Sequence, residues 1–405
     1  MAEQRAYDVV VCGGGLVGLA MALALARTQL DVALLDPQRL PTLPTLPAAA
    51  REHADFDARV SALTPASRVL LDELGLWSRL EALRVSPYTD MQVWDADGTG
   101  AIHFSAAELH EPCLGYIVEN GLVAGVMAEA LRGTQVAVMQ DSLTSFTPVA
   151  GRQQLTLASG TQITCRLLIG ADGSASPVRT LAGIETREWD TGHRALVATV
   201  RTARPHQDTA WQRFLQTGPL AFLPLHQPGA EQQHHSSIVW SCVPALADEL
   251  LALDDAAFRR RLELAFESRL GTIEQVSARH SFPLWQKHAG DYVRHGLALI
   301  GDAAHTIHPL AGQGVNLGLA DVKSLAGVLG RAAARGEDVA SEQVLSRYQR
   351  ERKAANLSML LLMEAFKRTF GSDDLHVRWL RNLGLKAADG LRPVKQALMK
   401  GAMGL

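Results

Sequence analysis

The sequence predicts an α/β fold: a Rossmann-type nucleotide-binding unit with an inserted β-sheet domain and a helical C-terminus. Three observations predict it. Up to Asp36 the chain reads strand, helix, strand around Gly13-x-Gly15-x-x-Gly18. Strand patterns then dominate from about 190 to 285, and beyond Val315 the pattern is mostly helical.

Tyr7 to Cys12 is a short apolar run and reads as a buried strand. Leu16 to Arg27 reads as a helix and Val32 to Leu35 as a second strand, an order that favours a parallel sheet. Val9 to Ala26 carries no charge and follows Arg5, so it mimics a signal peptide or a short membrane span. Three glycines in its first half argue against both, because each would cost a helix about 1 kcal/mol relative to alanine. Pro37 to Pro47 contains four prolines and reads as a loop. Ala66 to Leu83 carries Val69, Leu70, Leu74, Trp77 and Leu80 on one helical face. A β-rich stretch begins near Met91, and Gly121 to Leu131 is predicted helical. Further strands are predicted over 155–157, 162–169, 195–201, 237–243 and 297–300. Segments 1–85, 112–185 and 286–340 are assigned to the nucleotide-binding domain, 86–111 and 186–285 to the inserted sheet domain, and 341–405 to the C-terminal helical region.

The length of 405 residues suits two domains. A net charge of −3 gives no global reason to expect nucleic-acid binding. From Arg331 onward, however, 14 Lys/Arg stand against 8 Asp/Glu. Such a basic end suits either an anionic surface or partner, or a solvated helical face. Cys12, Cys113, Cys165 and Cys242 make no CxxC pair, which argues against a disulfide framework or a zinc-finger spacing. They fit a reducing, cytoplasmic setting, at most peripheral to the inner membrane.

Three motifs carry the chemistry. In the first, Gly13 permits a tight turn, Gly15 lets backbone approach a pyrophosphate, and Gly18 lets helix and strand pack closely. Leu16 and Val17 open the helix, whose N-terminal amides favour phosphate. Asp36 closes the second strand where a carboxylate accepts ribose hydroxyls. This constellation specifies a dinucleotide without separating FAD from NAD. The second motif is Gly170-Ala171-Asp172-Gly173-Ser174, in which Asp172 serves either a cofactor or an Asx-type turn. The third runs from Gly301-Asp302 through Pro309, Gly312, Gly314, Val315 and Asn316. Asp302 can take ribityl hydroxyls. Gly312 and Gly314 allow backbone amides near a planar ring, and the helix starting near Val315 points its dipole at a flavin N1–C2=O edge. His305 and His308 are expected to be structural, and no metal is expected.

These three motifs in this order resemble the FAD-dependent aromatic-ring hydroxylases of p-hydroxybenzoate-hydroxylase-like fold. The run His308 to Gly318 is similar to the signature of the ubiquinone-biosynthesis hydroxylases. Arg59 to Leu63, Met91 to Asp95, Ile117 to Asn120, Ala195 to Thr199, Ala221 to Leu225 and Ala402 to Leu405 resemble the 2-polyprenylphenol hydroxylase branch. The resemblance spans essentially the whole chain; the proline-rich loop at 41–47 and the His-rich stretch at 232–235 depart from it.

The resemblance implies FAD as cofactor, NAD(P)H as a transient co-substrate and O2 as oxidant. It implies hydroxylation of a phenol ring through a flavin C4a-hydroperoxide. The lack of a second GxGxxG agrees with a visiting nicotinamide. The substrate implied is a lipid-soluble polyprenylphenol, with membrane-surface contact or a biosynthetic complex as partner and a homo-oligomeric state. Arg59 is placed near flavin phosphates or reductant, unless it pairs with Asp55 or Asp57. Glu119 is placed near the flavin as the one catalytic candidate, unless it only favours a helix dipole. Phe222, Leu223 and Pro224 line the ring pocket or are plain core. No general base is assigned. The same fold acting on soluble phenols, or serving as a non-catalytic FAD subunit, stays open.

Overall fold

The computed structural model describes residues 5–44, 56–96, 100–306, 314–370 and 392–404. Strands and helices in chain order are β1 (Ala6–Cys12), α1 (Leu16–Leu25), β2 (Val32–Asp36), β3 (Val60–Leu63), α2 (Pro65–Glu73), α3 (Trp77–Leu83), β4 (Ser86–Tyr88), β5 (Asp90–Asp95), β6 (Ala101–Ser105), β7 (Gly115–Glu119), α4 (Asn120–Arg132) and β8 (Ala137–Gln140). They continue as β9 (Leu143–Val149), β10 (Arg152–Leu157), β11 (Gln162–Gly170), α5 (Pro177–Leu181), β12 (Thr186–Thr202), β13 (Thr209–Leu215), β14 (Gly218–Leu225), β15 (His235–Cys242), α6 (Pro244–Ala252) and α7 (Asp255–Ala265). The last are β16 (Ile273–Val276), β17 (His280–Ala289), β18 (Val293–Arg294), β19 (Leu297–Leu299), β20 (His305–Thr306), α8 (Gly314–Ala334), α9 (Glu342–Phe370) and α10 (Arg392–Met403).

The first sheet has the order β18-β19-β11-β1-β2-β8, with β19, β11, β1, β2 and β8 parallel. Its central strand β1 is almost wholly buried, as a strand covered on both faces must be. Helix α1 is apolar all round and packs against α4 and α8, so its uncharged sequence is core rather than leader or membrane span. Among the described residues no helix is long and apolar enough to cross a membrane.

The second sheet has nine strands in the order β20-β17-β12-β15-β14-β13-β5-β6, with β16 beside β12. Side chains alternate across it. Leu196, Phe222 and Trp240 bury one face against Phe258, Leu262 and Phe266 of the α6–α7 layer. Ala221, Leu223 and Val239 face the other way, toward Ala62 of β3 and Ile117 of β7. The small sheet β3-β7-β4 thus joins the two domains.

Three expectations shift. The 66–83 helix is two helices, because Gly75 takes the left-handed conformation at φ 77° and ends the first; Val69 is then exposed. Ser86 to Tyr88 pairs with β7, so the inserted domain begins nearer residue 90. Leu345 and Tyr348 lie in the nucleotide-domain core, and the Tyr348 hydroxyl donates to the Leu299 carbonyl at 2.8 Å; that domain therefore extends beyond 340. Helix α10 docks on the inserted domain through Met399 and Met403 beside Ala106 and Leu114, and Lys395 pairs with Glu108 at 2.7 Å. Lys395, like Arg352 of α9 beside the buried Asp321, is therefore a positive charge of the basic C-terminus taken up internally.

Candidate cofactor cleft

The three motifs, far apart in sequence, fit into one another through missing side chains. A Cβ on Gly18 would strike the Gly13 carbonyl, and a Cβ on Gly13 would strike the Ala171 carbonyl of the second motif. The two methyls of Val17 fill the space left by Gly301 and Gly318 of the third motif. By contrast, a Cβ on Gly15 would meet nothing within 4 Å. Gly15 is also the N-cap of α1 and offers no side-chain cap, so the first-turn amides are left for an external acceptor. Asp36 holds the turn: its carboxylate accepts the Gly14 amide at 2.5 Å and the Gln38 amide at 2.7 Å. Two of its roughly four lone-pair positions remain.

Asp172 does what the Asx-type reading allows. It accepts the Ser176 hydroxyl and the Val178 amide (2.9 Å), fixing the N-terminus of α5. Burial raises its carboxyl above the ordinary range, against the pull of those bonds. The buried Arg179 links the motifs, donating to the Ala303 carbonyl at 2.9 Å and the Ser174 carbonyl at 2.8 Å.

In the third motif, Asp302 is exposed to solvent on the short helical turn Gly301–Ala303, yet surrounded by protein. Burial raises its carboxyl, while His305 and Arg59 lower it. Arg59 reaches across the cleft to stand 5.8 Å over the ring of Phe282 on β17. It makes no ion pair with Asp57, whose carboxylate instead takes the amides of Arg59 (3.0 Å) and Gly121 (2.8 Å). Asp55 lies outside the described residues, as do His308, Pro309 and Gly312.

Below the cleft, Asp321 of α8 is wholly buried and fully engaged. It accepts from His305 Nε2 (2.5 Å), the Gly301 amide (3.0 Å) and Arg352 Nε (2.8 Å). Burial pushes its carboxyl up, but His305 and Arg352 hold it below the ordinary value. His305 is thus engaged within the protein by Asp321, in keeping with the structural role expected of it. Gly314 at the start of α8 is open on its Cβ side, while Val315 packs on the core.

Four expected site residues, Asn316, Glu119, Phe222 and Pro224, have other partners in the structure. Asn316 uses its side chain to tie β3 to α8: it accepts the Thr64 amide (3.0 Å) and the Ser67 hydroxyl (2.7 Å) and donates to the Ala62 carbonyl (2.7 Å). Its side-chain oxygen and one of its two amide N–H groups are therefore engaged within the protein. Glu119 is 4% exposed and bonded to Arg84 (2.5 and 2.8 Å) and to the Asp57 amide (2.6 Å). A carboxylate so occupied is a structural ion pair, not a free base. Phe222 points away from the cleft and stacks on Phe266 with centroids 3.8 Å apart. Pro224 shares its side by alternation, and of the three only Leu223 faces the nucleotide domain. Arg84 and Asp321 escaped the sequence reading. Asp321 had a signal, as a lone acid within the apolar face Leu319, Val322 and Leu325.

The cradle fits FAD. It offers uncapped amides at α1, Asp36 beside them and an exposed Asp302 on the turn of the third motif. No second nucleotide turn is present among the described residues. Such an arrangement belongs to the flavin-dependent aromatic-ring monooxygenases. Residues 6–360 match the FAD binding domain family. The chain is 38% identical to the ubiquinone biosynthesis monooxygenase COQ6, mitochondrial, of Xenopus tropicalis, over 97% of this chain and 92% of that one. It is also 38% identical to the 3-demethoxyubiquinol 3-hydroxylase of Escherichia coli K12, over 98% of each. Among solved structures, p-nitrophenol 4-monooxygenase PnpA of Pseudomonas putida DLL-E4 superposes with a TM-score of 0.75 over 99% of both chains at 20% identity, which shows a shared fold. The chain therefore belongs to the FAD-binding family that includes the ubiquinone-biosynthesis monooxygenases, and FAD is its cofactor.

Proposed function

We propose that this protein hydroxylates the aromatic ring of a polyprenylphenol in ubiquinone biosynthesis, using FAD, NAD(P)H and O2. Bound FAD supplies hydride acceptance and oxygen activation. The chain's own residues bind, orient and enclose. The first-turn amides of α1 and Asp36 hold the adenosine diphosphate end, Asp302 the ribityl chain, and the start of α8 the pyrimidine edge. The positive end of α8 favours the anionic reduced ring.

One observation carries the reading: the glycine-keyed convergence of all three motifs, which brings the first-turn amides of α1 together with the Asp172 and Asp302 segments. The relatives named above support a prenylated quinone precursor as substrate class. The basic C-terminal region, once Lys395 is set aside with Glu108 and Arg352 with Asp321, remains suited to an anionic membrane surface. Liposome flotation of wild type against a charge-reversed variant tests that contact; salt-insensitive, unchanged behaviour would reject it.

The central test is NAD(P)H oxidation and oxygen uptake by the FAD-loaded protein with a short-chain prenylphenol against a panel of small phenols. Coupled turnover is expected with the prenylphenol. Preferential coupling to a soluble phenol would reject the proposal, and no acceleration by any phenol would favour a non-catalytic FAD subunit.

A further inference from the structure

The inserted domain holds a second cluster that the flavin site does not use. His206 and Asp208 lie on the loop between β12 and β13, and His226 directly follows β14. Asp208 Oδ1 is 2.8 Å from His226 Nε2 and 3.8 Å from His206 Nδ1. The two imidazoles stack with centroids 5.8 Å apart at 16°. One donor atom from each of the three residues lies within 4.8 Å of the other two. Two imidazoles and a carboxylate converging on one point form a donor set suited to zinc and neighbouring divalent metals.

The surroundings add to this. His206 has a wholly buried side chain, and its Nε2 faces the Leu225 carbonyl at 3.3 Å. A backbone carbonyl on the far nitrogen is how ligating imidazoles are commonly oriented. The side chains of Asp208 and His226 are 45% and 27% exposed, so an ion and its water ligands can reach them. Gln207 and Asp208 both hold left-handed backbone, at φ 54° and 49°, which is uncommon for non-glycine residues. The His226 amide donates to Ser86 Oγ of β4 at 2.7 Å, tying the cluster to the sheet that joins the domains.

We infer that His206, Asp208 and His226 form a binding site for a divalent metal ion of the zinc class. The ion would clamp the β12–β13 loop to the end of β14, with water completing its coordination. The competing reading is a hydrogen-bonded turn alone. The Asp208 amide donates to His206 Nδ1 at 3.1 Å, and the His226 ring bonds the carboxylate directly. A bound ion would take the place of both contacts.

The experiment is calorimetric titration of Zn2+ into the EDTA-treated, dialysed, FAD-loaded protein, run beside Asp208→Asn and His226→Ala. Expected are one Zn2+ per chain at micromolar or tighter Kd, at least tenfold weaker binding in either variant, and a zinc-dependent rise in Tm for wild type alone. His226→Gln, which nearly preserves size, guards against a folding loss, and retained flavin absorbance reports the fold of each variant. No stoichiometric binding, or binding unchanged in folded variants, would overturn the inference and leave the hydrogen-bonded turn.

Discussion

Asp321 Oδ2 lies 2.5 Å from His305 Nε2 and 3.0 Å from the Gly301 amide, so one buried carboxylate on α8 pins both ends of the turn that presents Asp302. Arg352 Nε, 2.8 Å from the other oxygen, extends the tie to α9. Both contacts fix the position of the turn that carries Asp302.

Asp321→Asn should cost about 3–5 kcal/mol, because it leaves Arg352 buried beside a neutral group. The folded carboxyl is held below its ordinary value. Its stabilisation is therefore complete above the unfolded value, near 4, and is lost as pH falls through the lower folded value. Denaturant titrations between roughly pH 5 and 3 should show a shallower pH dependence for the variant than for wild type. Parallel slopes would contradict the role given to this carboxylate.

Gly18→Ala tests the interlocking of the motifs. The added methyl strikes the Gly13 carbonyl. Overpacking of this kind costs about 1–3 kcal/mol and here moves the phosphate turn. Purified protein should lose most of its flavin absorbance on gel filtration while staying folded by circular dichroism. Full flavin retention would argue against the glycine keying.

Glu119→Gln separates structure from catalysis. With Arg84 left uncompensated, stability should fall by about 3–5 kcal/mol. The kcat per bound flavin should change little, whereas loss of a general base lowers rates about 10²–10⁴-fold. A loss of that size in the folded variant would return Glu119 to the catalytic machinery.

Phe222 and its neighbour Leu223 should part company. Phe222→Ala should cost about 3–5 kcal/mol with KM for the phenol unchanged. Leu223→Ala should shift KM as well, since its side chain faces the nucleotide domain, packed with Ala62 and Ile117. Steady-state kinetics beside urea denaturation distinguishes the two, and equal effects on KM would contradict the alternation.

The βαβ start, the strand-rich insertion and the helical end were readable because period-two and period-3.6 patterns and glycine spacing are local properties. The Gly75 break inside the 66–83 pattern was legible in principle, but an isolated glycine in a helical pattern is ambiguous. The roles of Asn316 and Glu119 were not legible. A polar residue in a family-like motif looks the same whether it meets the cofactor or a buried partner such as Ala62 or Arg84.

The sequence by itself therefore determined that a dinucleotide sits at Gly13, Gly15 and Gly18, and the two later motifs narrowed it to FAD. Only the tertiary structure decided which side chains remain for the ligand. Asp36, Glu119 and Asn316 all carry oxygens suited to a cofactor, yet each already accepts a donor from a segment distant in sequence, whereas Asp172 accepts locally from Ser176 and Val178. The distant donors arrive through packing of β2 beside β1, of α8 and of the β3–β7 sheet, and long-range packing leaves no periodic trace in the chain. The His206, Asp208 and His226 cluster arises in the same way, from a loop and a strand end that meet only once the sheet has formed.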